Sequence, residues 1–465
     1  MKGSSAVHGP WELPQNWSWE RIDDVAPVNP KRRVESLGDE ELVSFVPMAA
    51  VSEESGKIDV SQHRPARDVR KGYTRFQTGD VLFAKITPCM ENGKIAVVPD
   101  LQSPFGAGST EFHVLVPEAV EARFLFYWLS RQSFRHEAEF NMTGTAGQKR
   151  VPPDYLRNAL IPLPDIETQR RIVTRIDELF SELDDGEEEL ARVRVDLEAY
   201  RKALLKAAVT GELTADWRAA NMVSETGPDL LSRILKEKRE RWSACGNTRS
   251  KRYIEPIGAR DDHGVNLPAG WATASTDQLA LHAVYGTSCK CSELDEGLLV
   301  LRMGDIQDGR LVIGKRKFAP VGERVPLLAK GDVLFNRTNS PELVGKTAVF
   351  DLDIDCSFAS YLVALRLEGM RPQFFSYWMN SAYGRAWIDR NRSQQVGQAN
   401  VSAGKLLGMS LPLPPLSEQS AIVELVEDLM ADAENMVVSE VEAVSGSAGL
   451  RQSILATAFR GELVQ

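Results

Sequence analysis

The sequence predicts globular α/β (α+β) domains in tandem duplicate, separated by two long helices that form an antiparallel intramolecular coiled coil with pseudo-twofold symmetry. Three observations carry that expectation. One is an internal repeat that runs the length of the chain. Another is a long stretch of apolar residues at heptad spacing. The third is a pair of short β-type strings, Gly79-Asp80-Val81-Leu82-Phe83 and Gly331-Asp332-Val333-Leu334-Phe335. A repeat found at the outset constrains every later assignment, because each copy must fold in the same way.

The repeat is ordered and nearly gapless. Ile161-Pro162-Leu163-Pro164 through Gln169 recurs as Leu411-Pro412-Leu413-Pro414 through Gln419. The same offset maps Gly211-Glu212-Leu213 onto Gly461-Glu462-Leu463, Tyr127-Trp128 onto Tyr377-Trp378, and Gly147-Gln148 onto Gly397-Gln398. Towards the start of each copy the offset lengthens slightly, as loop insertions require: Gly93-Lys94 answers to Gly345-Lys346, and Leu13-Pro14 with Trp17 to Leu267-Pro268 with Trp271.

Each globular part (1–160 and 266–410) is expected to mix strands with one aromatic-rich helix. Asp80–Phe83 and Lys94–Val98 read as strands joined through a Gly-containing loop. Arg123–Glu139 and Gln373–Asp389 carry aromatics at helical spacing, a core-facing pattern. Val151-Pro152-Pro153-Asp154-Tyr155 reads as a turn before a strand.

The helical parts follow, at 161–217 and 411–465. In the first, the seam runs through Ile172, Ile176, Leu179, Leu183, Gly186, Leu190, Val193, Leu197, Tyr200 and Leu204, alternating steps of four and three. Pro162 and Pro164 end the preceding strand, and Glu167 or Thr168 can open the helix. The second seam is weaker. It runs through Ile422, Val426, Leu429, Ala433, Met436, Glu440, Ala443, Ser447, Leu450 and Ile454, with Ser417 as the expected N-cap. Each seam needs an apolar partner, and the other copy supplies one. Between the copies, 218–265 reads as a linker with a basic amphipathic helix, Asp229–Trp242.

Composition narrows the function classes. The chain has 465 residues, 43% hydrophobic and 26% charged, within globular norms. No apolar run is long enough to span a bilayer, and Met1–Pro10 lacks a signal-peptide core, so a cytoplasmic, membrane-free protein is expected. Five cysteines form no disulfide framework. No Gly-x-Gly-x-x-Gly and no Walker-type Gly-Lys-Ser/Thr occurs, so no phosphate cradle is expected. Val151-Pro-Pro-Asp-Tyr155 lacks the Asn of an adenine-methyltransferase signature. Cys289 and Cys291 with His282 are short of a zinc ligand set. No catalytic residue and no metal ligand is assigned, and the chain is expected to be non-enzymatic.

The ordered repeat resembles the specificity (S) subunit of type I restriction–modification enzymes. The resemblance rests on Leu413-Pro-Pro-Leu-Ser-Glu-Gln419 with Ile422, on the Ala-x-x-Gly-Glu-Leu endings at 208–213 and 458–463, and on the Gly-Asp-Val-Leu-Phe pair. Thr226-Gly-Pro-Asp-Leu-Leu-Ser-Arg-Ile-Leu with Trp242 resembles the family's central linker. Copy one departs from it at Asp165-Ile-Glu-Thr-Gln169. The resemblance implies that each globular part is a target-recognition domain reading half of a bipartite double-stranded DNA site. It implies that the helices fix the spacer and bring in two methyltransferase (M) and two restriction (R) subunits. S-adenosylmethionine, ATP and Mg²⁺ would then bind to those partners and not to this chain.

Base edges are read by side chains with paired donors and acceptors, so polar loops near each strand string are the candidates. Copy one offers Lys85, Thr87, Thr143, Thr145, Gln148, Lys149 and Arg150. Copy two offers Asn336, Arg337, Thr338, Asn339, Arg392, Ser393, Gln394, Gln395, Gln398 and Asn400. Their flanks align while their contents differ, as two unlike half-sites require. The net charge of −10 divides as −2, −6, +3, +2 and −7 over the five segments, so the helical parts carry the acidity. The chain alone should therefore bind phosphate backbone weakly. Two rival readings are a self-sufficient divergent methyltransferase or nuclease, and a coiled-coil scaffold without a DNA role.

Overall fold

In a computed structural model, the described residues are 9–31, 37–53, 55–145, 147–244, 252–260, 263–294, 296–395, 397–444 and 447–464. The chain is mixed α/β and separates into two units, Met1–Leu190 with Glu440–Gln465, and Ala191–Ser439.

In the first unit, strand Ser18–Arg21 pairs antiparallel with Leu160–Leu163, so the start of the chain lies beside the segment that leads into the long helix. Val81–Ala84 is central in a three-stranded antiparallel sheet between Ile95–Val97 and Phe112–Leu115. Its four residues are all buried, which explains a continuous apolar run where a half-exposed strand would alternate. Leu42–Val46 pairs in parallel with Gly106–Gly108 in a second, four-stranded sheet. Gly108 has no room for a side chain, since a Cβ there would stand 2.4 Å from the Val46 carbonyl oxygen.

The second unit holds a four-stranded antiparallel sheet in the order Ala280–Tyr285, Leu362–Leu367, Val333–Asn336, Thr347–Val349. Leu298–Leu301 pairs in parallel with Cys356–Phe358, and Ala272–Ser275 pairs antiparallel with Ser410–Leu413.

Several sequence expectations are corrected. The single aromatic helix of each globular part is two helices, Ala122–Ser130 and Gln132–Phe140, then Pro372–Asn380 and Ala382–Asn391. Arg131 and Ser381 take extended backbone at the breaks, and the Ser381 hydroxyl accepts from the Gly384 N–H. The apolar spacing continues across each break, so periodicity alone could not reveal it. Pro153–Asn158 is a short helix, not a turn; Pro153 suits its first turn because the N–H that proline lacks has no helical partner there. The first long helix runs Ile166–Thr210 and opens one step before the expected residues. Asp165 caps it, accepting from the Thr168 N–H at 3.0 Å and the Thr168 hydroxyl at 2.7 Å, and these bonds hold its carboxyl below the usual range.

The second seam is carried by helices Leu416–Val444 and Ser447–Phe459, with residues 445 and 446 outside the described residues. Its first helix starts at Leu416, so Ser417 lies inside the first turn and is not the cap. Burial along both seams is uneven. Ile172 and Ile176 share the first unit's core with Leu455, Ala458 and Phe459. Leu204 shares the second unit's core with Ile422, Val426 and Met430. Leu190 is buried, while Leu179, Leu183, Gly186, Val193, Leu197, Leu429, Ala433 and Ile454 are half-buried. Tyr200, Met436 and Leu450 are exposed, against expectation. Near the end of the chain the buried positions are Leu455, Ala458 and Phe459, which lie off the expected heptad register. The side chains of Glu440, Ala443 and Ser447 lie outside the described residues.

The recurring Gln acquires a physical role. Gln169 is buried; its amide donates to the Pro164 carbonyl at 2.9 Å and accepts from the Glu121 N–H at 2.8 Å. Gln419 likewise donates to Pro414 at 2.9 Å and accepts from the Arg371 N–H at 2.7 Å. Each ties the start of a long helix to the residue preceding an aromatic helix. Beside Gln419, the buried Glu418 carboxylate accepts from Thr214, Arg218 and Trp271 at 2.8, 3.0 and 2.9 Å.

Candidate nucleic-acid interface

In the first unit, the two polar stretches of copy one become neighbours. The chain leaving Val81–Ala84 meets the chain returning to Pro153–Asn158: the Val151 N–H donates to Lys85 O at 2.8 Å and the Thr87 N–H to Lys149 O at 3.1 Å. Ile86 and Thr143 both bridge to Arg150, and a turn closes between Thr145 and Gln148. Thr143, Thr145, Gln148 and Lys149 are exposed, while Lys85 and Thr87 are half-buried. The Thr87 hydroxyl donates to Glu91 at 3.0 Å.

Arg150, expected as a base reader, is bonded within the unit. Its guanidinium forms a two-pronged pair with Glu111 at 2.9 and 2.8 Å, holding that carboxyl below the usual range. A planar fork engaged in this way braces the loop. His113 fixes the same segment from behind. Asn29 donates its amide N–H to Nδ1 at 2.8 Å, and Nε2–H then donates to Val151 O at 2.8 Å. Burial pushes the His113 imidazole down, so the neutral ring needed for this chain of bonds is favoured.

These residues border an open cleft of about 810 Å³. Lys85, Thr143 and Arg150 line it, together with Lys31, Tyr73, Arg75, Gln77 and Phe105. The Arg75 guanidinium lies 5.1 Å from the centre of the Phe105 ring. Lys31, Tyr73, Arg75 and Gln77 escaped the sequence reading because they come from distant segments with no motif of their own.

In the second unit, the corresponding stretches form a small three-stranded sheet. Ser393–Gln395 and Gln398–Asn400 make an antiparallel ribbon, and Thr338–Asn339 adds along Asn400 and Ala399. Gly397, at φ +77°, lies in the ribbon's turn, where a side chain would be strained. Gln398 is exposed and Asn400 half-buried, its amide donating to the Thr338 hydroxyl at 3.0 Å. Asn339 borders a hollow of about 400 Å³ with Gln307 and Lys346. The side chains of Gln394 and Gln395 lie outside the described residues.

Three candidates of copy two are buried or in contact within the unit. Asn336 is fully buried in its strand, with no partner for either amide atom. Arg337 stacks 4.9 Å from the Tyr285 ring centre and donates to Ser360 O. Arg392 pairs with Asp389 at 3.2 Å. The linker helix, Gly227–Ala244, buries Leu230 and Ile234 in the second unit's core. Its cations are drawn into bonds within that unit: Arg233 with Glu225 and Glu237, Arg239 with Glu255, Arg241 with Glu368, and Lys238 with the Asp277 and Ala280 carbonyls.

Among the described residues, no group of three or more His, Cys, Asp or Glu side chains is placed to hold a metal, and no helix is long and apolar enough to cross a membrane. Cys289 and Cys291 have their sulfurs 3.8 Å apart.

Comparison with known proteins gives a consistent picture. Residues 14–192 match the family model described as the Type I restriction modification DNA specificity domain. The chain is 27% identical to the type I restriction enzyme EcoAI specificity subunit of Escherichia coli, over 90% of this chain and 78% of that one. It is 24% identical to the EcoKI specificity subunit of Escherichia coli (strain K12), over 86% and 81%. Two solved structures share the fold. A chain from a study of complex assembly and conformational transition of the type I R-M system has a TM-score of 0.68 at 22% identity, covering 97% of this chain and 100% of that one. The HsdS subunit from Thermoanaerobacter tengcongensis has a TM-score of 0.58 at 22% identity, covering 98% and 99%.

Proposed function

We infer that this chain is a DNA-specificity subunit of the type I restriction–modification family, and from that premise propose how it works. Each globular part reads one half of a bipartite target. The observation that carries this is the convergence within each unit of two polar stretches far apart in sequence, Lys85–Thr87 with Thr143–Arg150 and Thr338–Asn339 with Ser393–Asn400. A scaffold would have no reason to gather base-reading side chains twice.

The chain reads as a duplicate of one recognition domain and one helix, divided as 1–160, 161–217, 218–265, 266–410 and 411–465. Support comes from matching pairings: Ser18–Arg21 with Leu160–Leu163, and Ala272–Ser275 with Ser410–Leu413. The two helical segments run antiparallel in this reading. The start of the first helix shares a core with the end of the chain, and its end shares a core with Ile422 and Val426. Arg451 adds an ion pair to Asp184 at 2.6 Å. Catalysis belongs to two M and two R subunits, which carry S-adenosylmethionine, ATP and Mg²⁺.

The helices act as a ruler. A 45-residue helix is about 68 Å long and sets an upper limit on half-site separation. Removing one heptad from each helix should shorten the non-specific spacer and leave both half-site sequences unchanged, as mapped by methylation with the M subunits. Altered half-sites at unchanged spacing would contradict the ruler.

A further inference from the structure

We propose that the second unit reads its half-site through an uncharged amide and hydroxyl face aimed at adenine edges in the major groove. The inference rests on the function proposed above and names what that site recognises.

The face follows from strand register. Asn400 is opposite both Ser393 and Thr338, while Ala399 is opposite Gln394 and Asn339. Successive residues in a strand point to opposite sides, and directly paired residues share a side. Ala399 and Val401 are both buried in the second unit's core. Gln398 and Asn400 alternate with them and therefore face outward, alongside Ser393 and Thr338. All four are uncharged. Of the two arginines flanking these strands, Arg337 lies on the Tyr285 ring and Arg392 pairs with Asp389.

The shape suits a groove. The third strand reaches only Asn400 and Ala399, so the Gln395–Gln398 pair stands beyond it as a two-stranded ribbon. The major groove, about 12 Å wide and 8.5 Å deep, admits such a ribbon. Within the groove, an Asn or Gln amide matches adenine N6 and N7, whereas the guanine pattern suits Arg or Lys. Asn400 is already bonded to Thr338, which makes it a positioning residue. Gln398 at the exposed tip is the reader.

The test uses the chain complexed with its methyltransferase partners, on its target duplex as mapped by methylome sequencing. In each half-site, every adenine is replaced in turn by 7-deazaadenine and every guanine by 7-deazaguanine, which deletes the N7 acceptor alone. With the unaltered protein, one 7-deazaadenine in one half should weaken binding at least about fivefold, the loss of one good hydrogen bond. Gln398→Ala should lose discrimination at that same base pair and show no further loss on the 7-deazaadenine duplex. Unchanged recognition of the other half-site confirms that the variant is folded. The proposal fails if only guanine replacements matter in that half. It also fails if Gln398→Ala weakens all duplexes equally with a shallower salt dependence, the mark of a phosphate contact. A complex with no bipartite footprint would remove the function reading itself, and this inference with it.

Discussion

Replacing Glu418 with Ala should destabilise the second unit by about 3–5 kcal/mol, the loss typical of breaking a buried charged pair. The carboxylate is fully buried and accepts from Thr214, Arg218 and Trp271. Its removal strands three donors at once, one of them charged, in a site with little water to replace the bonds. These donors come from the segment after the first long helix and from the start of the second copy, so the loss loosens the junction where they meet. Glu418→Gln should fall between the two, since an amide oxygen still accepts but without the charge. Urea denaturation followed by tryptophan fluorescence would measure this, and a change in midpoint at constant slope identifies a stability effect. A loss below about 1 kcal/mol, the scale of an exposed ion pair, would show that the junction does not rely on this carboxylate.

Phe459→Ala should cost the first unit a similar amount, about 3–5 kcal/mol for a fully buried phenylalanine. Its ring lies 4.9 Å from Phe124 and 5.0 Å from Trp128, in a core that Leu455, Ala458 and Phe459 share with residues before Leu190. The cavity would open beside the Arg131 guanidinium, which sits 3.3 Å from the Trp128 ring centre. Hydrogen exchange should therefore accelerate in Ala122–Ser130 and Gln132–Phe140 while the sheet containing Val333–Asn336 keeps its protection. Uniform acceleration in both units would show that they do not unfold separately.

Much of the architecture could be read from residues alone, because repetition and period are properties of order. The heptad spacing marks the helix Ile166–Thr210, and the Gly-Asp-Val-Leu-Phe string marks the strand Val81–Ala84. The Gln169 and Gln419 positions stood out as motif without a reason, which only their bonds to Glu121 and Arg371 supply. Other features depend on groups that meet in space. Nothing near Arg150 in the chain announces Glu111, and nothing in the heptad spacing shows that Met436 is exposed while Phe459 is buried. The breaks at Arg131 and Ser381 were hidden because the aromatic spacing runs through them. The candidate surface was half legible. Its stretches stand out by polar content between aligned flanks, whereas the partners of Arg150, Arg337 and Arg392 lie elsewhere in the chain or across a turn and carry no such mark.

The central claim is that this chain chooses a two-part DNA sequence for enzymes that act on it. Single-molecule methylome sequencing of cells carrying the M and R subunits, with and without this gene, tests it most directly. The expected result is adenine methylation at one bipartite sequence, two defined halves around a spacer of fixed length, that disappears when the gene is removed. An unchanged methylome after removal, or methylation confined to a single contiguous site, would contradict it.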